Sequence, residues 1–121
     1  MSANAFPVKA IDAVVNLQTE EALANRPEDR RGFYREKIGV SEDAYTGLSL
    51  EDMLRRMDDA GIERAFLVAA KIGRLGLQAS YHIPYELVAD AVKAHPDRFS
   101  GLAGIDPYEG MDGVRALENA I

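Results

Sequence analysis

The chain has 121 residues, 47% of them hydrophobic, no Cys, and a formal net charge of −6 at pH 7. That length allows one core rather than two, and the acidic balance argues against a nucleic-acid partner, since binding phosphates takes clustered Lys and Arg. Without Cys there are neither disulfides nor thiolate metal ligands, no apolar run approaches the roughly 20 residues of a membrane span, and no signal-peptide pattern opens the chain. A soluble, cytoplasmic chain with no membrane partner is the expectation.

In chain order, Val8 to Leu17 is mostly apolar on both faces, which predicts a strand of a parallel sheet covered by helices. Asp12 falls inside that run, so it reads as a buried carboxylate needing backbone donors or an Arg. By simple alternation Asp12, Val14 and Asn16 share one face. Glu20 to Gly47 is a long, charged, weakly periodic connection carrying Arg26, Glu28, Asp29, Arg30, Arg31, Arg35, Glu36 and Lys37. Segments of this kind in a compact domain are usually functional or mobile. Its arginines could close over a carboxylate as a lid, and Phe33 and Tyr34 favour that reading over a purely solvated loop.

Ser49 with Asp52 three residues later has capping-box spacing, and Leu50, Met53, Leu54 and Met57 form one helical stripe that Gly61 ends. A second strand runs from Arg64 to Ala70. The Gly-rich segment Gly73 to Ser80 leads to a helix opening near Pro84, with Leu87, Val88, Ala91 and Val92 inward and a stop before Pro96. A third strand, Phe99 to Ile105, ends in Asp106-Pro107. A last helix from about Glu109 sets Met111, Val114, Leu117 and Ile121 on one face. The order βαβαβα predicts an α/β fold with a parallel sheet. Three such units leave two long apolar edges, and the last helix is still periodic at Ile121. The expectation is therefore a homo-oligomer or part of a longer chain.

The segments "IDAVVN", "SLEDMLRRMDDAGIERAFLVAA" and "AHPDRFSGLAGIDP", in that order and spacing, resemble the amidohydrolase-2 branch of the amidohydrolase superfamily, relatives of aminocarboxymuconate-semialdehyde decarboxylase. The resemblance covers roughly residues 8 to 121. It implies the first part of a TIM-type (β/α)8 barrel, with residues 1–121 the N-terminal portion of one domain and 20–47 the loop between the first strand and helix. It also implies a hydrolase or decarboxylase acting on a small carboxylated or cyclic carbonyl compound, with a divalent metal, Zn or Mn, as cofactor. The family's first strand carries Asp-x-His-x-His. Here Asp12 holds the Asp place, while Val14 and Asn16 hold the two histidine places, so the chain offers no metal ligand there. The alternative is a non-catalytic, metal-free relative, or an inactive partial chain.

Function in such a barrel sits at the C-terminal ends of the strands, which here are Asn16 and Gln18, Lys71, and Asp106. Asn16, with Gln18, could orient a substrate or cap a loop. Lys71 could hold an anion, act as a base if burial lowered its pKa, or simply be solvated. Asp106 before Pro107 is either catalytic or a turn opener. His82, flanked by Tyr81 and Tyr85, is the leading acid/base candidate, against the plainer role of an exposed cap at a helix start. His95 falls at a helix-to-strand connection and reads as structural.

Overall fold

The computed structural model describes residues 8–28 and 32–121. Three parallel strands form its sheet: β1 (Ala10–Asn16), β2 (Ile62–Ala69) and, after a small hairpin of β3 (Lys71–Ile72) and β4 (Tyr81–His82), β5 (Phe99–Ala103). The order is β1-β2-β5, with β2 central. Among the described residues, these helices connect or follow them: α1 (Glu20–Leu23), α2 (Asp43–Thr46), α3 (Leu50–Asp59), α4 (Tyr85–Ala94) and α5 (Met111–Ala120). A π-helical turn spans Phe33–Ile38 and a 3-10 turn Pro107–Glu109. The mixed α/β architecture and the parallel pairing are as the sequence predicts. The strands begin and end within a few residues of the expected 8–17, 64–70 and 99–105.

Local chemistry sets the helix ends. Ser49 Oγ accepts the Asp52 N–H at 3.1 Å and opens α3, and Gly61 at φ 73° turns the chain out of it. Pro84 is the N-cap of α4 rather than its first residue. His95 closes α4, its N–H donating to Ala91 O at 3.1 Å and its ring edge-on to Phe99, the structural place expected for it.

Alternation along β2 buries Ala65, Leu67 and Ala69 beneath α3 and α4, together with Met53, Met57, Val88, Ala91 and Phe99. Gly101 continues that face on β5, where a Cβ would come within 3.1 Å of Val88. On the opposite face no helix layer covers the sheet among the described residues, and Leu102 stays 44% exposed there, as three units without facing strands would leave it, in register with Val68 and Asn16.

The first strand also departs from simple alternation. Asp12 pairs with Ala65 but Val15 pairs with Leu67, so three steps on β1 oppose two on β2. The extra residue falls at Ala13–Val14 and leaves Val14 72% exposed. By register Asp12 and Asn16 then lie on opposite faces. A bulge leaves an N–H without a ladder partner, and Asp12 Oδ1 takes that of Val14 at 3.3 Å. The carboxylate expected to be buried is half-buried, and its job is local.

The charged connection is not one open loop. Ala22 and Leu23 of α1 are buried, Thr19 caps that turn, and Asp43 in α2 pairs with Arg56 of α3. Hydrogen bonds from Ser41 and then Arg56 hold the exposed Asp43 carboxyl below its ordinary pKa. The final helix is a correction too. Only Leu117 of its apolar stripe is half-buried, while Met111, Val114 and Ile121 are exposed.

Candidate functional site

Two short elements gather titratable side chains at the C-terminal edge of the sheet. The first is the hairpin. Lys71 and His82 are direct cross-strand partners, so the antiparallel pairing sets them side by side. Gly73, at φ 70°, permits the tight closure, because a Cβ there would fall 2.3 Å from Ser80 Oγ. Its carbonyl lies 3.0 Å from His82 Nε2. A carbonyl can only accept, so Nε2 carries the proton in this contact.

The second element is the 3-10 turn. Asp106 is its N-cap, Oδ1 accepting the Tyr108 N–H at 3.0 Å, and Glu109 follows three residues later. Positions i and i+3 eclipse in a 3-10 helix, so both carboxylates project together. Gly104 brings this turn against the end of β2: its N–H donates to Ala69 O at 3.0 Å and its carbonyl accepts the Tyr85 hydroxyl. A Cβ at Gly104 would sit 2.4 Å from Ala69 O and 3.2 Å from Lys71 N. Only a glycine allows that approach.

The result is a four-residue cluster. Lys71 Nζ donates to Glu109 Oε2 at 2.8 Å and Oε1 at 3.1 Å, and lies 5.1 Å from the centre of the Tyr85 ring. His82 Nδ1 is 3.6 Å from Glu109 Oε1, and His82 Nε2 is 3.7 Å from Asp106 Oδ2. The side chains of Lys71 and His82 are each 11% exposed, that of Asp106 7% and that of Glu109 28%. Burial works against the Lys71 charge, but the hydrogen bond to Glu109 and the charges of Tyr85, Glu109 and Asp106 outweigh it, raising its pKa.

Lys71 and Asp106, expected at strand ends, and His82, expected before a helix start, are thus brought together. Two details change. Lys71 is a firmly held ammonium and neither solvated nor a base, and His82 sits in β4 rather than capping a helix. Asp106 opens a turn, the plainer of its two readings, and also faces His82. Tyr81 neighbours His82 in sequence but points into the core, 7% exposed, with Arg26 over its ring at 5.9 Å. Asn16 ends β1 at the same edge of the sheet, and Gln18 lies two residues beyond it. Among the described residues their side chains make no hydrogen bond to the cluster, and Gln18 O accepts from Leu48 N at 2.8 Å.

Glu109 is the member that sequence reasoning passed over. Its signal was present: Asp106 and Glu109 have capping-box spacing. The lid arginines within the described residues stack on rings instead of lining the cluster, Arg26 on Tyr81 and Arg35 on Tyr45. Asp29, Arg30 and Arg31 lie outside the described residues. The family's first-strand metal does not fit here, because Val14 has no donor atom, Asn16 offers only an amide, and the Asp12 carboxylate is turned to Val14 N. Compared with known proteins, the chain matches no family model, no curated protein and no solved structure.

Proposed function

We propose that this chain carries part of the active centre of an amidohydrolase-2 type enzyme that hydrolyses or decarboxylates a small carboxylated or cyclic carbonyl compound, with its three βα units the opening portion of a (β/α)8 barrel. One observation carries the reading. Lys71, His82, Asp106 and Glu109 converge at the C-terminal edge of a parallel sheet, where enzymes of this architecture place their chemistry. His82 Nδ1 exchanges a proton with the substrate, Nε2 being committed to Gly73 O, and Asp106 steadies the ring. The Lys71 ammonium holds the substrate carboxylate, with Glu109 keeping it in place between turnovers.

Val14 and Asn16 favour a second reading, a metal-free relative that kept the fold without the chemistry. A panel of small carboxylic acids and lactones assayed with the complete protein separates the two. Turnover should fall about 100-fold or more in His82→Gln. In Lys71→Met the loss should appear mainly in KM. No turnover on any compound, or turnover indifferent to His82→Gln, would favour the non-catalytic relative.

A further inference from the structure

We infer that Tyr85 positions this cluster, its ring holding the Lys71 ammonium where a substrate carboxylate meets it and its hydroxyl holding the turn that carries Glu109. The ring is itself fixed by the backbone around it. Ile83, 4% exposed, donates its N–H to Ala70 O at 2.8 Å, which pins the chain beside Lys71. Pro84 then enters α4 at φ −57°, and Tyr85 is the first residue of that helix.

An ammonium has three donors and accepts nothing. That of Lys71 donates to both Glu109 oxygens, at 2.8 Å to Oε2 and 3.1 Å to Oε1, and only 11% of the side chain is exposed to water. Among the described residues no other oxygen bonds it, and its remaining contact is the Tyr85 ring, centred 5.1 Å from Nζ. An aromatic face carries partial negative charge, and its attraction for a cation grows as water is excluded. The ring therefore does for a nearly dry ammonium what water does for an exposed one.

The hydroxyl works on the other partner. It donates to Gly104 O, and the Gly104 N–H in turn bonds Ala69 O at 3.0 Å, so the turn bearing Asp106 and Glu109 is tied to the strand end beside Lys71. One side chain thus sets both ends of the ion pair. When a substrate carboxylate displaces a Glu109 oxygen, the ring contact is the one that stays, and the ammonium keeps its place. The inference rests on the cluster proposed above as the reacting site, but its test needs no substrate. Positioning can therefore fail where turnover is found, and stand where turnover is absent.

NMR of the isotope-labelled full chain tests this through exchange of the Lys71 ammonium hydrogens with water, with circular dichroism confirming that each variant folds. The parent should show a slowly exchanging Lys71 signal, identified by its loss in Lys71→Met. Tyr85→Leu should speed that exchange about tenfold, and Tyr85→Phe, which keeps the ring, should retain most of the protection. The Tyr85→Leu effect should persist in a Glu109→Gln background, because the ring acts on the ammonium itself, whereas a merely structural role would vanish with the carboxylate. Tyr108→Leu, which removes an exposed ring stacked on Arg74, should leave Lys71 as it is in the parent. No slow Lys71 signal in the parent, exchange in Tyr85→Phe as fast as in Tyr85→Leu, or an effect abolished by Glu109→Gln would each overturn the inference. If Tyr85→Leu does not fold, the parent still decides the question. Its Lys71 Hε protons must resonate upfield of those of the exposed Lys9, Lys37 and Lys93, as the face of a ring against them requires, and unshifted protons would overturn the contact.

Discussion

The Lys71–Glu109 pair is the strongest local electrostatic commitment in the cluster, and its pH behaviour has a definite sign. The folded pKa of Lys71 is raised above its ordinary value of 10.5. The pair's contribution is therefore complete below that value and is lost as pH rises through the folded pKa. Denaturant unfolding should show Glu109→Gln less stable than the parent by about 1–3 kcal/mol at pH about 8, with the difference shrinking as pH rises through the raised pKa of Lys71. A difference that stays constant across that range would show that the pair is not the cause. Sequence reasoning found Lys71, His82 and Asp106 because all three follow strand or loop signals. It missed the ion pair that holds Lys71 because that depends on Glu109, a partner supplied by a turn far along the chain. Asp12 was half legible: the backbone donor expected for it is there, the Val14 N–H, but an inserted residue in β1 leaves it half-buried where the pattern marked it as buried.

Elements decide where those residues meet. The approach of Gly104 to Ala69 O docks the 3-10 turn against the end of β2. Gly104→Ala should destabilise the fold by about 1–3 kcal/mol through overpacking and should also disturb the His82 ring signals in NMR. Unchanged His82 shifts would mean that this contact does not place the cluster. At the opposite end of the sheet, Arg98 donates to Glu63 O at 2.8 Å and to Asp58 Oδ1 at 2.7 Å, tying the start of β5 to β2 and α3. Arg98→Ala should cost about 1–2 kcal/mol in thermal or denaturant melts while leaving those His82 signals in place. The long parallel strands and α3 were legible, since each spans several residues of clear period. The hairpin of β3 and β4 was not, because two-residue strands carry no periodicity and their Gly-rich link reads simply as a loop. The stripe of α5 was legible as a pattern, but burial depends on what faces it, and Met111 remains 63% exposed.

Across the whole molecule one imbalance dominates. One side of the sheet is packed by α3 and α4, while on the other no helix layer among the described residues covers Leu102 and the residues in register with it. The 121-residue polypeptide should therefore self-associate or bind a hydrophobic dye, and Leu102→Lys should lessen both. A sharp monomer peak with no dye binding would contradict this. No helix among the described residues is long and apolar enough to cross a membrane. Whatever covers that face was not legible in the sequence. Composition and period report that a surface is apolar, not which surface meets it.

The hairpin that pairs Lys71 with His82 also has a consequence for the order in which the chain assembles. Its two strands are joined by a short stretch, and hairpins of that kind close in about 1–10 μs. Asp106 and Glu109 arrive only once β5 has crossed over α4 to lie beside β2, a non-local step that is intrinsically slower. Half of the cluster therefore forms by a local encounter and waits for the other half. In a refolding experiment the imidazole of His82 would serve as a clock for the docking of the last strand, reaching its native environment only when the sheet is complete.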